Sequence, residues 1–408
     1  MAKPVILFVS PIRLRPTLQG DRICLVEYAR VLACFGSVHL LSICADDCPL
    51  LDCSSPFASE SRIPVEQPSS LMFWALMVAQ RRQPAFIRYR QKLIVEQIIE
   101  HAQTIGASHI HFEISTLAEI AAAVHDRARF ETSIRLLNIE SVSLGRIDRR
   151  AATSALRKGL FPLLAPIVNS ASFRAEIAAL KRLPRVQVIS EGDCNILKAN
   201  GVETVRIGPP FPDLPRQPIP DDTAHGVRLV FIGGLSHSST GGGLKEFLEY
   251  FFPLVQKTED KRTGMTLTIA GPDDDPDLSP WATNRFVTFA GFVSDASALL
   301  SKAHLMLACL REARGIRVKI IDALSRGMPV LAAEEALYGF DQDVRKVVFW
   351  YRDIMEVDGI LRLVNDRPAA LNEMGKAGRS YYEEHFLPSN CRAAVAAFHR
   401  FEKQEQPS

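Results

Sequence analysis

Short apolar runs and amphipathic segments alternate along this chain from end to end. Strand-like runs fall at Val5 to Val9, Ser37 to Ser42, His109 to Phe112, Ile134 to Leu137, Val186 to Ile189 and Val202 to Ile207. Between them, over Arg22 to Phe35, Ile94 to Ile105 and Thr116 to Ala128, apolar residues recur at the spacing of a helix with one buried face. Ser190-Glu-Gly-Asp193 has the spacing of a capping box and opens a short helix. Strands that alternate with helices need crossover connections, so the first half predicts a parallel, Rossmann-like sheet.

Pro209, Pro210, Pro212, Pro215, Pro218 and Pro220 then crowd one segment. Proline donates no backbone N–H, so neither a helix nor a strand ladder continues there, and residues 208–226 read as an interdomain linker. A second alternation follows, with strands at Arg228 to Gly234, Met265 to Ala270, Val287 to Ala290, Leu305 to Cys309 and Pro329 to Ala332. Its helices fall at Gly243 to Gln256, Ser297 to Ala303, Met355 to Val364 and Leu371 to Glu384. The pattern predicts a first α/β domain over 1–207, a second over 227–386, and a tail over 387–408. The tail helix, Cys391 to Lys403, has no destination set by its own residues.

The 408 residues are 47% hydrophobic and 23% charged, enough to fill two cores of ordinary size. A formal net charge of +2 supplies no global field for nucleic acid, so any anion site is local. The apolar run at Val5 is too short for a secretory signal and reads as a buried first strand. Leu71 to Ala79 and Gly159 to Val168 reach about half the length of a bilayer span, so no membrane-crossing helix is expected. Cys24, Cys34, Cys44, Cys48, Cys53, Cys194, Cys309 and Cys391 lack zinc or iron-sulfur spacing and read as reduced thiols of a cytoplasmic protein.

Residues 311–333 carry the most chemistry. Ile316, Ile320, Ile321 and Leu324 recur at helical spacing, Gly327 and Pro329 end the helix, and Val330-Leu-Ala332 continues as a strand. Arg314, Arg317 and Lys319 therefore crowd the first turn, where the helix dipole is already positive and further cations are unfavourable. That placement calls for an anion. The alternative is that Lys319, Asp322 and Arg326 form surface ion pairs worth about 0.2–0.5 kcal/mol each. Gly233 and Gly234, with Gly241 to Gly243 beyond, flank a small polar loop whose bare backbone can approach a phosphate, or which simply turns the chain. No Walker or dinucleotide glycine fingerprint is present.

The stretch from Arg311 to Val330 resembles the donor-binding signature of glycosyltransferase family 4, in the form that carries an Arg or Lys and then a Lys before the helix and ends Gly-x-Pro-Val. The likeness continues in order through Phe231-Ile-Gly-Gly-Leu-Ser-His237, Lys245 to Pro253, Leu267-Thr-Ile-Ala-Gly-Pro272, Val287-Thr-Phe-Ala-Gly-Phe-Val293, Glu335-Ala-Leu-Tyr-Gly-Phe340 and Met374 to Phe386. The first half matches more loosely, through Phe8-Val-Ser-Pro11, Gly20-Asp-Arg22 and Ser190 to Asp193. The resemblance implies an α/β chain of GT-B architecture, two Rossmann-like domains facing each other across a cleft. The first would bind an acceptor, the second a nucleotide sugar, and the terminal helix would cross back to the first. The implied activity is a retaining, hexosyl-type transfer from a UDP- or GDP-type donor to a glycan or lipid-linked acceptor, as in polysaccharide biosynthesis.

On that resemblance Arg317 and Lys319 neutralise the departing diphosphate, since preorganised cations stabilise developing charge. Gly233, Gly234 and Gly315 would let backbone approach the donor, and Asp322 stands where the family has a glutamate that holds the ribose hydroxyls. The backbone at Phe292 and Val293 would face the base, while their side chains read as core. Gly20 and Arg22 follow the first strand at the carboxyl edge, where open α/β sheets bind ligands, although Arg22 reads equally as a solvated helix-start residue. Three family features are missing. The Arg and Lys that many members place in the glycine loop are lost or shifted, with Lys245 a poor substitute. The first glutamate of the Glu-x7-Glu pair falls at Arg314, with Glu312 out of register. The loop after Ile134 to Leu137 reads Asn138-Ile-Glu140 where the family often has a histidine, with His111-Phe-Glu113 one strand earlier. These departures keep two other readings open, a catalytically silent nucleotide-sugar-binding relative and a sugar-nucleotide epimerase.

Asp273-Asp-Asp-Pro-Asp277 has an Asp-x-Asp spacing but sits in an acidic, proline-broken loop and reads as solvated charge, so no metal and no cofactor beyond the donor is expected. Leu71-Met-Phe-Trp-Ala-Leu-Met77 is followed by Arg81, Arg82, Arg88, Arg90 and Lys92, with Phe86 and Tyr89 between. This region reads either as a face for the anionic inner surface of a membrane, giving a peripheral membrane protein, or as an amphipathic helix with a solvated side.

Overall fold

The computed structural model of the chain describes residues 3–12, 20–44, 55–65, 70–89, 92–143, 155–220, 222–223, 226–235, 238–257, 265–271, 276–281, 285–293, 295–311 and 314–401. Two compact units emerge, unit 1 from Met1–Pro210 with Cys391–Ser408 and unit 2 from Phe211–Asn390. No helix among the described residues is long and apolar enough to cross a membrane.

Unit 1 is a seven-stranded parallel sheet built from β1 (Val5–Ser10), β2 (Ser37–Cys44), β3 (Ser59–Pro64), β4 (His109–Glu113), β5 (Glu131–Leu136), β6 (Val186–Val188) and β7 (Val205–Arg206). The spatial order is β3-β2-β1-β4-β5-β6-β7, so the order reverses between β1 and β4. Its helices are α1 (Gly20–Ala33), α2 (Ser70–Gln80), α3 (Pro84–Ile87), α4 (Lys92–Thr104), α5 (Ala118–Arg127), α6 (Glu140–Ser143), α7 (Ala155–Leu180) and α8 (Glu191–Ala199). The expected capping box opens α8, with Ser190 Oγ accepting from Asp193 N at 3.3 Å.

Several elements differ from the periodic reading. The edge strand β3 buries only Ile63 among its six residues, so it carries no apolar alternation; register along β2 holds it instead. The run at Gly159 to Val168 lies in the first half of α7, a 26-residue helix that continues through Pro166. The strand expected over 202–207 shortens to two residues. In the basic aromatic region Phe86 and Tyr89 are buried, Tyr89 Oη donates to Pro11 O at 3.1 Å, and Arg82 pairs with Glu119 at 3.0 Å. Those aromatics are therefore core residues and not a membrane-facing surface.

A buried polar network ties the tail to unit 1. Arg135 on β5 is fully enclosed. Its Nε donates to both Glu113 oxygens (2.9 and 3.1 Å), its Nη2 donates to Cys24 O (3.2 Å), and its guanidinium lies 4.0 Å over the Tyr28 ring. His111 bridges Glu113 (3.1 Å) and Ser133 (2.8 Å), and Tyr28 Oη meets Gln187 Oε1 (2.5 Å) and His399 Nε2 (3.0 Å). Such a group is costly to enclose and costlier to break, since removing one partner of a buried pair leaves a charge uncompensated at about 3–5 kcal/mol. His399 belongs to α14 (Pro388–His399), whose Val395 and Ala396 pack with Ile6, Phe8, Leu25 and Tyr28.

Unit 2 is a six-stranded parallel sheet of β8 (Arg228–Ile232), β9 (Thr266–Ala270), β10 (Val287–Gly291), β11 (Leu305–Ala308), β12 (Val330–Ala333) and β13 (Phe349–Tyr351) in the order β10-β9-β8-β11-β12-β13. Its helices are α9 (Ser238–Lys257), α10 (Ser297–Leu300), α11 (Val318–Ser325), α12 (Glu356–Asp366) and α13 (Ala369–His385). Helix α9 begins earlier than its glycines suggest, running through Gly241 to Gly243.

The proline-rich segment is not a free linker beyond Phe211. Prolines donate nothing, but the residues between them are stitched to α13 and to the end of α11. Phe211 N donates to Phe386 O (2.9 Å), Tyr382 Oη donates to Phe211 O (2.9 Å), and Gln217 N donates to Arg326 O (2.9 Å). Arg379 fans out to Asp213 Oδ1 (2.6 Å), Leu214 O (3.3 Å), Glu383 Oε1 (2.6 Å) and Ser325 O.

Enclosure holds His111 and His399 well below the ordinary histidine value, with Arg135 adding to both and the other histidine adding to His399. An unfolded histidine takes up its proton near pH 6.5 and these folded ones do not, so their contribution to stability is present above that pH and lost as the pH falls below it, by up to about 1.4 kcal/mol per pH unit per ring. Urea unfolding of the His399→Gln protein at pH 7 and pH 5.5 is expected to show a smaller acid loss than the parent. An identical loss in both proteins contradicts the assignment.

Candidate functional site

In unit 2 the strand order reverses between β8 and β11, and ligands of open parallel sheets bind beyond the carboxyl ends of strands at such a reversal. The chain leaves β8 through Gly233 and Gly234, while the segment after β11 leads into α11. Gly233 N donates to Ala270 O at 2.8 Å, and a Cβ placed on Gly271 would lie 1.8 Å from Gly233 O, so the two backbones touch as only glycine permits. On the approach to α11, Gly315 takes a left-handed φ of 60°, and its carbonyl oxygen lies where a Cβ on Gly339 would be 2.4 Å away. This close packing fixes where α11 begins.

Arg317 is the N-cap of α11, but no side chain caps this end, so the first-turn N–H groups and the dipole face outward. A Cβ on Gly233 would lie 3.1 Å from Lys319 Nζ, which places the ammonium directly over bare backbone at the β8 exit. Arg317 Nη2 donates to Arg314 O at 3.3 Å, whereas its Nε is buried and has no partner among the described residues. Lys319 has no carboxylate partner among the described residues. Of the surface ion pairs that offered the alternative reading, only Asp322 to Arg326 forms, at 2.6 Å.

The crowd of protein atoms around Lys319 and the neighbouring Arg317 push its ammonium down to about 8, and burial lowers Arg317 as well. Lys319 nonetheless keeps an exposed flank, so water screens part of this strain. Two cations at the positive end of a helix, one of them with a buried, unpartnered N–H, have the charge and the donors that a compact polyanion requires.

Gly233, Gly234, Arg317 and Lys319 come together at the reversal, while Gly315 packs against Gly339 on the approach to α11. Phe292 and Val293 follow Gly291 (φ 63°), whose carbonyl accepts from Gly271 N at 2.9 Å, so they leave the same sheet edge. Phe292 is 75% exposed, a correction to its reading as core, and presents an open aromatic face. Asp322 is held by Arg326, which also donates to Ser297 Oγ at 3.1 Å, so its carboxylate is already engaged within the protein. Arg314 is exposed, 5.7 Å over the Tyr338 ring.

Gly20 and Arg22 belong to unit 1, at the start of α1 beside its own reversal; Arg22 N donates to Asp21 Oδ1 at 2.9 Å. Glu312 and the Asp273 to Asp275 run lie outside the described residues, among which no cluster of three metal-ligating side chains occurs. Sequence reading missed Glu176 and Gln83 of unit 1, both buried and polar, because nothing in their neighbourhoods departs from an ordinary helix or turn.

Residues 226–366 match the family model of glycosyl transferases group 1, a span that contains the whole reversal site. No curated protein matches the chain. Among solved structures, sucrose-phosphate synthase from Thermosynechococcus elongatus is similar over 98% of this chain and 98% of its own, with 16% identity and a TM-score of 0.66. HepE from Anabaena in complex with UDP is similar over 96% of this chain and 98% of its own, with 14% identity and a TM-score of 0.65. The trehalose-6-phosphate protein from E. coli bound with UDP-2-fluoro glucose is similar over 98% of this chain and 100% of its own, with 10% identity and a TM-score of 0.66. The fold is therefore GT-B, two parallel-sheet α/β domains of seven and six strands.

Replacing Gly271 by alanine drives a methyl into the Gly233 carbonyl and is expected to destabilise the protein by about 2 kcal/mol or more. Chemical denaturation reads this directly; a midpoint equal to the parent's contradicts the contact.

Proposed function

We propose that this chain is a glycosyltransferase that moves a sugar from a UDP-type nucleotide diphosphate donor to a hydroxyl of a glycan or lipid-linked acceptor, with retention of configuration. The observation that carries the reading is Lys319, without a carboxylate partner, over the Gly233 backbone at the start of α11, on the same turn as Arg317 with its buried, unpartnered Nε. Breaking the bond between sugar and diphosphate leaves the electron pair on the departing diphosphate, and preorganised cations at that point stabilise the charge as it develops. The group 1 glycosyl transferase match over 226–366 supports this chemistry, and similarity to proteins solved with UDP and with a UDP sugar supports the uridine nucleotide.

In this reading Gly233, Gly234 and Gly315 admit the phosphates to backbone distance, and the exposed Phe292 offers a face for the base. Asp322 holds Arg326 through Oδ1 and offers its other carboxylate oxygen to the ribose hydroxyls. Binding at the membrane's inner surface, if the acceptor is lipid-linked, falls to the exposed residues of α2 and Arg81, since Phe86 and Tyr89 are interior.

Lys319→Ala is expected to lower UDP-sugar hydrolysis and transfer about 100-fold and to shrink the rise in melting temperature that UDP produces. Full turnover and an undiminished UDP shift would remove the assignment. A second readout is pH. Lys319 loses its proton as the pH climbs through about 8 in the free protein, so UDP affinity is expected to fall above that value. In the Lys319→Arg protein the fall is expected to vanish, and a parent profile flat to pH 10 argues against a lysine in contact with the diphosphate.

A further inference from the structure

Strand β3 ends one side of the unit 1 sheet, paired with β2 and with no strand beyond it among the described residues. From Ser59 to Pro64 the two strands keep a single register, and Val65 N donates to Cys44 O at 3.3 Å. The main chain of a ladder alternates sides, so Ser61 and Ile63 turn their N–H and C=O groups toward β2 while Glu60 and Arg62 turn theirs outward. Water can satisfy outward groups, so an open edge by itself names no partner. The charge order along it does. Laid antiparallel about Ser61, the sequence Glu60-Ser61-Arg62 is its own complement: Glu60 falls opposite the partner's Arg62, and Arg62 opposite the partner's Glu60. Both pairs join outward-facing residues, so each would also exchange main-chain N–H···O=C bonds. The neighbouring symmetric registers set Glu60 against the partner's Glu60 or Arg62 against the partner's Arg62, and like charges directly opposed are destabilising.

The helix beside this edge points to the same partner. On α4, Ile94, Val95, Ile98 and Ala102 pack with Leu41, Ile43 and Ile63 over the sheet. Leu93, Gln97, Glu100 and Thr104 recur at helical spacing, which aligns them along one flank of α4 next to that buried face. The flank overhangs β3: an open groove of about 290 Å³ runs between them, floored by Leu41, Ser61 and Ile63 and walled by Gln97, His101 and Thr104. Leu93 is 70% exposed, an apolar side chain on an otherwise polar stripe. A two-fold axis perpendicular to the sheet at Ser61 would continue the sheet from one copy into the next and lay the two α4 helices antiparallel on the same face, each Leu93 flank turned toward the second copy. The central Ser61 pair, without mutual hydrogen bonds, would bring its Cα atoms to about 4.5 Å, a spacing that a small side chain accommodates.

We propose that β3 and the adjoining flank of α4 form a two-fold interface through which two copies of this chain join their unit 1 sheets edge to edge, with Ser61 on the axis. Strand pairing sets the alignment, the unlike pairs of Glu60 and Arg62 reject the competing registers, and burial of Leu93 with closure of the groove supplies apolar area. The contact is closed, because each copy uses its open edge on the other and none is left to recruit a third. It involves unit 1 alone and does not depend on the sugar-transfer reading.

Size exclusion with light scattering on the full chain, over a range of protein concentrations, tests it. The parent is expected to run at twice the 45.3 kDa chain mass. Glu60→Arg sets arginine against the partner's Arg62, and Arg62→Glu sets glutamate against the partner's Glu60, so each single variant is expected to dimerise about 10-fold more weakly. Both exchanges in one chain restore the unlike pairs, and the dimer is expected to return. An equimolar mixture of the two single variants restores them as well, since every arginine then faces a glutamate, and is expected to run as a mixed dimer. Neither side chain is buried, so the single variants are expected to melt with the parent. If one melts below the assay temperature, the double variant and Leu93→Ser carry the test, the latter weakening the dimer by a similar factor. A parent that stays monomeric, single variants that dimerise as tightly as the parent, or monomeric variants that fail to pair when mixed overturns the proposal.

Discussion

Repulsion at the start of α11 is the constraint on which the unit 2 site depends. Lys319 and Arg317 sit at the positive end of a helix, without a carboxylate partner for Lys319, in surroundings crowded enough to depress both pKa values. An isolated protein gains nothing from this arrangement. It becomes favourable only when an anion enters, and the more compact and highly charged that anion, the larger the relief. A diphosphate fits that requirement better than a carboxylate.

The surrounding fold prevents the cations from relaxing away from each other. Gly271 and Gly233 touch at backbone distance, Gly339 lies against Gly315, and Gly375 and Gly378 let α13 press against the end of α11. Arg379 then clamps α13, the C-terminal end of α11 and the proline-rich segment with one guanidinium. Each of these contacts stands away from the cations yet positions them. Rigid placement matters because charge stabilisation falls quickly once donors must reorganise around the charge they serve.

Much of this was legible in the amino-acid order. Helical spacing at Ile316, Ile320, Ile321 and Leu324, ended by Gly327 and Pro329, located α11 and thus the cations. Buried central strands announced themselves as apolar runs, whereas β3 did not, because an edge strand with one buried side chain has no pattern to read. The prolines of 209–220 signalled lost backbone donors but not that Phe211, Leu214 and Gln217 would bind α13 and the end of α11 through their remaining groups. Phe292 looked like core by composition and is open to solvent. Asp322 matched a ribose-binding position, yet its pairing with Arg326 depends on a distance that spacing alone does not supply. Buried polar groups such as Glu176, Gln83 and Arg135 were invisible, since their environments come from chain segments far apart in sequence.

Isothermal titration of the protein with UDP and, separately, with uridine isolates the part that the diphosphate plays. With the binding energy held by the diphosphate at Arg317 and Lys319, UDP is predicted to bind at least 100-fold more tightly than uridine, with the difference shrinking as salt rises. Equal affinities for the two, or a difference indifferent to salt, would contradict it.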